Sequence, residues 1–243
     1  MRYNFIENKD CYKAIKEIED GSIDLIITDP PYDIKGLHDS SIMKDRGISF
    51  HNELKDNGLG DGIDLAILND FVRIQKKINI YIFCNKEQII PYLDFFVKEK
   101  GCNYEILIFA KDDPIPFCGT HYLKDKEYCL YFWETGAQLH VLYNRGKTVF
   151  YSKKNVADKN DYGHPTIKPI DFVSMLIENS SLEGGIVFDP FLGSGTTAVA
   201  AKRLGRKYIG YEINPHYYKI ACDRLAGFNQ KGEMNLFDYE YDN

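Results

Sequence analysis

FDPFLGSGTT, residues 188–197, joins a short apolar run to the start of a helix through a glycine-rich turn. The two glycines let the backbone turn sharply and approach a ligand closely. Free N–H groups at the beginning of the helix favour an anion. Glu212 ends the next apolar run, where a carboxylate can accept hydrogen bonds from ribose hydroxyls. This stretch therefore predicts an α/β fold that binds a nucleoside-containing cofactor.

Short apolar runs rich in Ile, Val, Tyr and Phe have the length and composition of buried strands. They cover Ile23–Thr28, Ile78–Cys84, Tyr104–Ala110, Tyr128–Trp133, Ile186–Asp189 and Lys207–Tyr211. Stretches with helical periodicity lie between them, at Asp10–Glu19, Lys86–Lys98, Ile170–Asn179 and Thr196–Leu204. This alternation predicts a doubly wound α/β sheet.

Length and composition bound the possible classes of protein. The chain has 243 residues and a formal net charge of −6, which fits one sizeable domain. It contains no run of about 18 uninterrupted apolar residues and no apolar signal segment, so we expect neither membrane spanning nor secretion. The six cysteines form no C-x-x-C pair, and the histidines form no H-E-x-x-H motif. We therefore predict reduced thiols in a cytoplasmic protein, and no metal.

A second motif, TDPPY at residues 28–32, directly follows the apolar run Ile23–Ile27. A carboxylate there lies at the carboxyl edge of the sheet, where open α/β folds bind ligands. Both prolines fix φ and lack an N–H, so the turn is stiff and presents bare carbonyls beside Asp29 and Tyr32. Such a turn suits a planar substrate that carries an amino group. A rigid turn with an N-cap aspartate is the alternative interpretation.

A third motif, HPTIKP at residues 164–169, precedes the helix predicted from Ile170. Thr166 can cap that helix, and a helix-start signal alone explains the prolines. Its position shortly before the glycine turn favours a functional role.

A dinucleotide-binding fold is an alternative, because Gly193 to Ala198 also satisfies the pattern G-x-G-x-x-A. That fold needs further sheet after Glu212, and only 31 residues follow it. It also leaves the residues Asp29 to Tyr32 without a role.

In this order the three motifs resemble those of the circularly permuted β group of DNA amino-methyltransferases, over about residue 8 to residue 225. The resemblance implies a mostly parallel, seven-stranded Rossmann-like sheet with an inserted target-recognition region. Residues 1–110 would form the catalytic half, with a mobile loop at 35–62. Residues 111–163 would recognise the target, and residues 164–243 would form the cofactor-binding half.

The same resemblance implies S-adenosylmethionine as the cofactor and assigns the site residues. The catalytic residues would be Asp29, Pro30, Pro31 and Tyr32. The cofactor would be bound by Asp10, Cys11, Asp29, His164, Thr166, Lys168, Asp189, Phe191, Gly193, Ser194, Gly195, Thr196, Thr197 and Glu212. In this list Thr166 and Lys168 would close the methionine end. Asp10 and Cys11 match the family opening G-D-C with Lys9 in place of the glycine.

The expected substrate is the exocyclic amino group of a base that is flipped out of the DNA helix. An aspartate in the first position of the D-P-P-Y motif resembles the adenine-N6 enzymes more than the cytosine-N4 enzymes. Cytosine-N4 methylation and a catalytically inactive homologue that binds cofactor and DNA remain alternatives. Methylation at cytosine carbon-5 is excluded, because that family presents its nucleophile in a Pro-Cys dipeptide and no cysteine here follows a proline.

Although the net charge of the chain is negative, one segment of it is basic. Residues 139–157 carry four basic side chains and no acidic one, interleaved with aromatic residues, which suits contact with double-stranded DNA. A solvated hairpin is the alternative interpretation. The predicted DNA contacts are Tyr143, Arg145, Lys147, Lys153 and Lys154, with Lys44, Arg46, His51 and Lys55 in the loop as further candidates. The resemblance also suggests a homodimer, a cognate restriction endonuclease, and a bacterial or phage origin.

Overall fold

Strands and helices alternate along the computed structural model, which describes residues 2–32, 62–111, 122–123, 125–152 and 167–228. The strands are β1 (Phe5–Glu7), β2 (Leu25–Thr28), β3 (Asn79–Cys84), β4 (Asn103–Lys111), β5 (Lys126–Trp133), β6 (Val149–Ser152), β7 (Ile186–Asp189) and β8 (Lys207–Tyr211). The α-helices are α1 (Cys11–Ala14), α2 (Ile67–Ile74), α3 (Ile89–Leu93), α4 (Ile170–Ser180), α5 (Thr196–Arg203) and α6 (Pro215–Leu225).

The strands form one sheet in the order β1-β8-β7-β2-β3-β5-β4-β6. Among the strands in the described residues, only β5 runs antiparallel to its neighbours, so the predicted doubly wound, mostly parallel α/β sheet is confirmed. The described residues contain eight strands where seven were predicted. Strand β1 has three residues, too few to show a hydrophobic period, and its pairing with β8 places it in the sheet.

Strand β5 lies within the segment 111–163 that was predicted to recognise the target. Its residues, Lys126–Trp133, pair with β3 on one side and β4 on the other, so they belong to the sheet. The predicted target-recognition segment 111–163 therefore contains a strand from the interior of the main sheet. The same segment also contains β6, which pairs with β4 at the edge of the sheet.

Two helices differ from their predicted form. The stretch Asp10–Glu19 was predicted as one helix, but α1 ends at Ala14 and continues as a 3-10 turn over Ile15–Glu17. Helix α3 continues as a π-helix over Asp94–Glu99, where the Lys100 N–H donates to the carbonyl of Phe95, five residues back. A single 3-10 or π turn hardly changes the spacing of apolar residues along a helix, so neither change could be predicted from the sequence.

Both faces of the sheet are buried, as expected for central parallel strands. Along β2, Ile26 packs into the core beneath α1, α2 and α3, whereas Leu25 and Ile27 pack on the opposite face against α4 and α5. These side chains are at most 1% exposed. The sheet is therefore a rigid platform for the residues that follow its strands.

The carboxyl ends of β2, β7 and β8 meet at one edge of the sheet because these strands are parallel neighbours. The chain leaves β2 towards β3 and leaves β7 towards β8, on opposite sides, so a crevice opens between β2 and β7. Ligands bind at such points in open α/β sheets. Because β5 is antiparallel, its amino end lies at this same edge.

None of the helices within the described residues is long and apolar enough to cross a membrane. The His, Cys, Asp and Glu side chains in this part of the chain form no group of three that could hold a metal ion. The five cysteines that it includes form no disulfide bond.

Candidate active site

The Asp-Pro-Pro-Tyr turn follows β2 directly and lies beside the crevice. Pro30 is buried, and the Gln88 side chain donates a hydrogen bond of 3.2 Å to the carbonyl of Pro31. The Asp29 carboxylate remains 27% exposed. The structure therefore holds a carboxylate at the edge of the sheet on a turn that prolines and a side-chain hydrogen bond keep rigid.

Lys168 is the ion-pair partner of Asp29. Its Nζ lies 2.5 Å from Asp29 Oδ2, and its side chain is only 11% exposed. Burial raises the pKa of Asp29, and the Lys168 ammonium opposes that rise. Burial lowers the pKa of Lys168, but the neighbouring carboxylates of Asp29 and Glu127 raise it well above its ordinary value. The ammonium is thus charged at neutral pH and favours the ionised form of Asp29.

Tyr32 completes this cluster. The Lys168 Nζ lies 5.9 Å from the centroid of the Tyr32 ring and 4.8 Å from that of Phe83. Burial raises the pKa of Tyr32 well above its usual value, and the Asp29 carboxylate adds to the effect. Tyr32 is therefore neutral and offers an aromatic face beside the carboxylate.

The glycine-rich turn lies on the neighbouring strand. It begins after Asp189, which ends β7, and its Gly193 N–H donates to Glu212 Oε2 at 2.8 Å. Gly195 has φ of +85°, and a Cβ atom there would lie 2.9 Å from the Cβ atom of Ala221. Glycine is required at this position because both the backbone conformation and the approach to α6 exclude a side chain. Helix α5 begins at Thr196, immediately after the turn.

Arg224 of α6 holds this turn in place through hydrogen bonds, and none of the three sequence motifs includes this residue. The residue is 4% exposed in the last turn of α6. Its Nη1 donates to the Ser194 carbonyl at 2.8 Å, and to the hydroxyls of Ser194 and Thr196 at 3.0 Å each. A long-range anchor of this kind leaves no local pattern in the sequence.

Two buried carboxylates flank the turn. Burial raises the pKa of Asp189 to about 7, although hydrogen bonds from Thr197 and from the Phe191 N–H oppose the rise. Burial also raises the pKa of Glu212. Within the described residues, neither carboxylate forms an ion pair with a lysine or arginine. A ligand that carries positive charge and hydroxyl groups therefore fits this donor and acceptor set.

The segment after β1 lies against the same turn. The Asp10 carboxylate caps α1 by accepting the Tyr12 N–H at 2.9 Å. The rings of Tyr12 and Phe191 meet edge-on, with centroids 6.3 Å apart. Burial raises the pKa of the Cys11 thiol to about 12, so it stays neutral. The structure thus brings Asp10 and Cys11 to the cofactor-binding residues that the sequence predicts around Asp189.

Three of the predicted DNA contacts, Tyr143, Arg145 and Lys147, lie in the described part of the chain. Arg145 forms an ion pair of 2.6 Å with Glu178, and its carbonyl accepts a hydrogen bond from Asn179 at the end of α4. This end of α4 leads into the amino end of β7, so Tyr143, Arg145 and Lys147 lie at the edge of the sheet opposite Asp29. The structure does not bring these three residues together with the turn at Asp29–Tyr32.

Several predicted residues lie outside the described part of the chain. They are His164 and Thr166 of the third motif, Lys153 and Lys154 of the basic segment, and the loop candidates Lys44, Arg46, His51 and Lys55. The loop predicted at 35–62 lies outside it as well, apart from Gly62.

The chain is similar to several known proteins. A family model for N6 and N4 methyltransferases, described as DNA methylase, matches residues 23–223. The type II methyltransferase M.HpaI of Haemophilus parainfluenzae is 30% identical over 241 residues, covering 93% of this chain and 74% of the relative. The DNA adenine methyltransferase YhdJ of Escherichia coli (strain K12) is 28% identical over 252 residues, covering 89% of this chain and 80% of the relative.

Two solved structures have a similar fold. The M1.HpyAVI–SAM complex superimposes with a TM-score of 0.65 at 25% identity, covering 90% of this chain and 98% of the other. The cytosine-N4-specific PvuII DNA methyltransferase superimposes with a TM-score of 0.68 at 15% identity, covering 93% of this chain and 87% of the other. At 15% identity the second comparison shows the fold alone.

Proposed function

Because the chain belongs to the N6/N4 family of DNA methylases, we propose that it methylates the N6 amino group of adenine in DNA, with S-adenosylmethionine as the methyl donor. The observation that carries this proposal is the position of Asp29. Its carboxylate follows β2 at the crevice, and the glycine turn follows β7, the strand next to β2. Acceptor and donor subsites thus lie side by side.

The residues around the glycine turn fit S-adenosylmethionine. When bound, this cofactor supplies an electrophilic methyl group on a positively charged sulfur. The buried carboxylates of Asp189 and Glu212 suit its positive charges and its ribose hydroxyls. The further residues proposed to hold it are Asp10, Cys11, His164, Thr166, Phe191, Ser194, Thr196 and Thr197.

Asp29 and Pro30 would orient the acceptor. An exocyclic amino nitrogen is a poor nucleophile because its lone pair is conjugated with the ring. Hydrogen bonds from its two hydrogens to the Asp29 carboxylate and the Pro30 carbonyl would turn that lone pair towards the methyl donor. Positioning and fixed charges then supply most of the catalysis. The neutral ring of Tyr32 offers a face on which the flipped base can stack.

Adenine is favoured over cytosine on two grounds. Asp29 occupies the first position of the motif, as in the adenine-N6 enzymes that the sequence resembles. A curated relative that matches along most of its length is named an adenine methyltransferase, whereas the likeness to the cytosine-N4-specific enzyme shows the fold alone. Cytosine-N4 methylation is the second candidate, because the family model covers both activities.

Four further expectations belong to the proposal. Double-stranded DNA is the expected substrate, and a cognate restriction endonuclease is an expected partner, since M.HpaI is named a type II methyltransferase. A homodimer is expected from the resemblance to the β group. A bacterial cytoplasm is the expected location, because the curated relatives come from bacteria.

Nucleoside analysis tests the proposal. The chain would be incubated with unmethylated plasmid DNA and S-adenosylmethionine that carries a deuterated methyl group, and the DNA would be digested for mass spectrometry. We expect labelled N6-methyldeoxyadenosine. Label in N4-methyldeoxycytidine alone would support the second candidate, and label in neither nucleoside would contradict both.

A further inference from the structure

Glu127 lies between two lysines at the edge of the active site. Its Oε2 is 3.3 Å from the Nζ of Lys168, and its Oε1 is 2.6 Å from the Nζ of Lys111. The same Lys168 ammonium is 2.5 Å from Asp29 Oδ2. Two cations and two anions thus alternate in a continuous chain from Lys111 to the catalytic carboxylate.

Strand direction explains this arrangement. Glu127 is the second residue of β5, the one antiparallel strand in the described sheet, so it lies at the edge where parallel strands end. Lys111 is the last residue of β4, the partner of β5 in the sheet. The Glu127 side chain is 21% exposed and that of Lys168 is 11% exposed, so water screens their interaction only weakly.

We propose that Glu127 is a positioning residue for methyl transfer, which shares the Lys168 ammonium with Asp29 and so keeps the Asp29 carboxylate available to the amino group of the base. This inference rests on the proposed function. Lys168 bound to Asp29 alone would neutralise the carboxylate and make it a weaker hydrogen-bond acceptor. Without Lys168, burial would favour the protonated Asp29, which cannot accept two hydrogen bonds equally well. Because Glu127 also binds the Lys168 ammonium, Asp29 stays ionised without being fully neutralised by Lys168.

The charge on Glu127 is present throughout the range in which an enzyme can be assayed. The Lys168 ammonium lowers the pKa of Glu127 to about 2, although burial opposes this, and Lys111 adds to the effect. Glu127 also raises the pKa of Asp29. Glu127 therefore acts on Asp29 as a constant negative charge, because it does not change its protonation state in this pH range.

Other ionisable groups also act on Asp29. Within the described residues they are Lys168 before α4, Glu127 and Cys129 on β5, Tyr32 after β2, Asp189 at the end of β7, Cys84 at the end of β3 and Tyr92 in α3. Burial raises the pKa values of both thiols and both phenols, which stay neutral during an assay. Asp189 titrates near pH 7, but it is the same in every variant compared below.

Two substitutions test the proposal because they act in opposite directions. Glu127→Gln removes the competing anion, so Lys168 pairs fully with Asp29 and the pKa of Asp29 falls. Lys111→Met removes the other partner of Glu127, so Glu127 draws Lys168 away and the pKa of Asp29 rises. The acid limb of kcat/KM for DNA methylation, measured at saturating cofactor, should move by about half a pH unit in each direction. Glu127→Gln should also lower kcat about tenfold, with cofactor affinity unchanged.

Glu134→Gln is the matched control. Glu134 follows the other end of β5 and pairs with Lys77 at 2.9 Å, far from the catalytic turn. This variant should leave the pH profile unchanged. Opposite shifts in the two test variants support the proposal, since general loss of stability cannot move a pH limb in both directions. If both variants fold and neither shifts the limb, the proposal is overturned.

Two further results are separable. If Glu127→Gln does not fold, the upward shift in Lys111→Met decides the question alone: its presence supports the proposal and its absence overturns it. If the unsubstituted chain transfers no methyl group to DNA, the proposed function fails, and the role of Glu127 fails with it. An active unsubstituted chain with unshifted variants refutes only the role of Glu127.

Discussion

The Nζ atom of Lys168 lies 2.5 Å from Oδ2 of Asp29, although 139 positions separate the two residues in the chain. The sequence resemblance assigned Lys168 to the methionine end of the cofactor, and in the structure its ammonium pairs with the Asp29 carboxylate. The strand order explains the contact, because the segment before α4 returns to the edge of the sheet where β2 ends. Lys168 therefore connects the turn at Asp29 to Glu127 on β5 and, through it, to Lys111 on β4.

Arg224→Met should weaken cofactor binding about tenfold. The substitution leaves the carbonyl of Ser194 and two hydroxyls without their buried donor, which costs roughly 1–3 kcal/mol per unsatisfied group. The control is Arg206→Met, which removes three hydrogen bonds at the start of β8, at the opposite edge of the sheet. Calorimetric titration and thermal unfolding should show a loss of stability in both variants and a loss of affinity only in Arg224→Met. Equal affinities would contradict the anchoring role.

Gly195→Ala should reduce both stability and cofactor affinity. A positive φ costs a non-glycine residue about 1–2 kcal/mol, and the new Cβ would meet Ala221 at 2.9 Å. Gly184→Ala is a matched control, because Gly184 has φ of +75° and open space around its Cβ position. Denaturant unfolding should show a larger loss for Gly195→Ala, by roughly 1–3 kcal/mol of overpacking. A cofactor affinity that Gly195→Ala leaves intact would argue against close contact at this turn.

Cofactor binding should depend on pH through Asp189. Burial raises its pKa to about 7, so the carboxylate is charged above that pH and neutral below it. If only the charged form attracts the positive cofactor, affinity should fall about tenfold from pH 8 to pH 6. Asp189→Asn should bind more weakly at pH 8 and lose this part of the dependence. Parallel pH profiles in the two proteins, measured by isothermal titration, would exclude Asp189 as the source.

Salt dependence should locate the DNA contacts. Strand β6 ends with Ser152 at the same edge of the sheet as Asp29, and Lys153 and Lys154 follow it in sequence. Replacing both lysines with alanine should reduce the slope of log affinity against log salt by about 2. Arg145→Ala combined with Lys147→Ala should have a smaller effect, because these residues lie at the opposite edge and Arg145 pairs with Glu178. A larger reduction of the slope in the Arg145→Ala, Lys147→Ala variant would instead favour DNA contact at Arg145 and Lys147.

Much of the fold could be predicted from local patterns. Each of the six apolar runs overlaps a strand, because burial on both faces imposes a continuous apolar composition on central parallel strands. The glycine turn was equally visible, since a positive φ at Gly195 and contact with α6 restrict the residue type. Strand β1 and the antiparallel direction of β5 were not visible, because pairing partners and strand direction leave no periodic signal in a single segment.

The candidate site was predicted only where residues cluster in sequence. Asp29 and Tyr32 belong to one short turn, so their spacing alone suggested a role. Glu127 and Arg224 depend on contacts across 41 and 30 positions, to Lys168 and Ser194 respectively, and each resembles an ordinary charged residue on its own element. The basic charge of residues 139–157 suggested DNA contacts, but it could not show at which edge of the sheet Tyr143 and Arg145 lie.

The most direct test of the central claim separates binding from transfer at Asp29. Asp29→Asn retains the shape of the side chain but loses the negative charge and one of its acceptor oxygens. We predict that single-turnover methyl transfer to DNA falls by about a hundredfold or more, while the dissociation constant for S-adenosylmethionine, measured by titration, changes less than about threefold. Transfer at the unsubstituted rate by Asp29→Asn would contradict the assignment of Asp29 as the catalytic carboxylate.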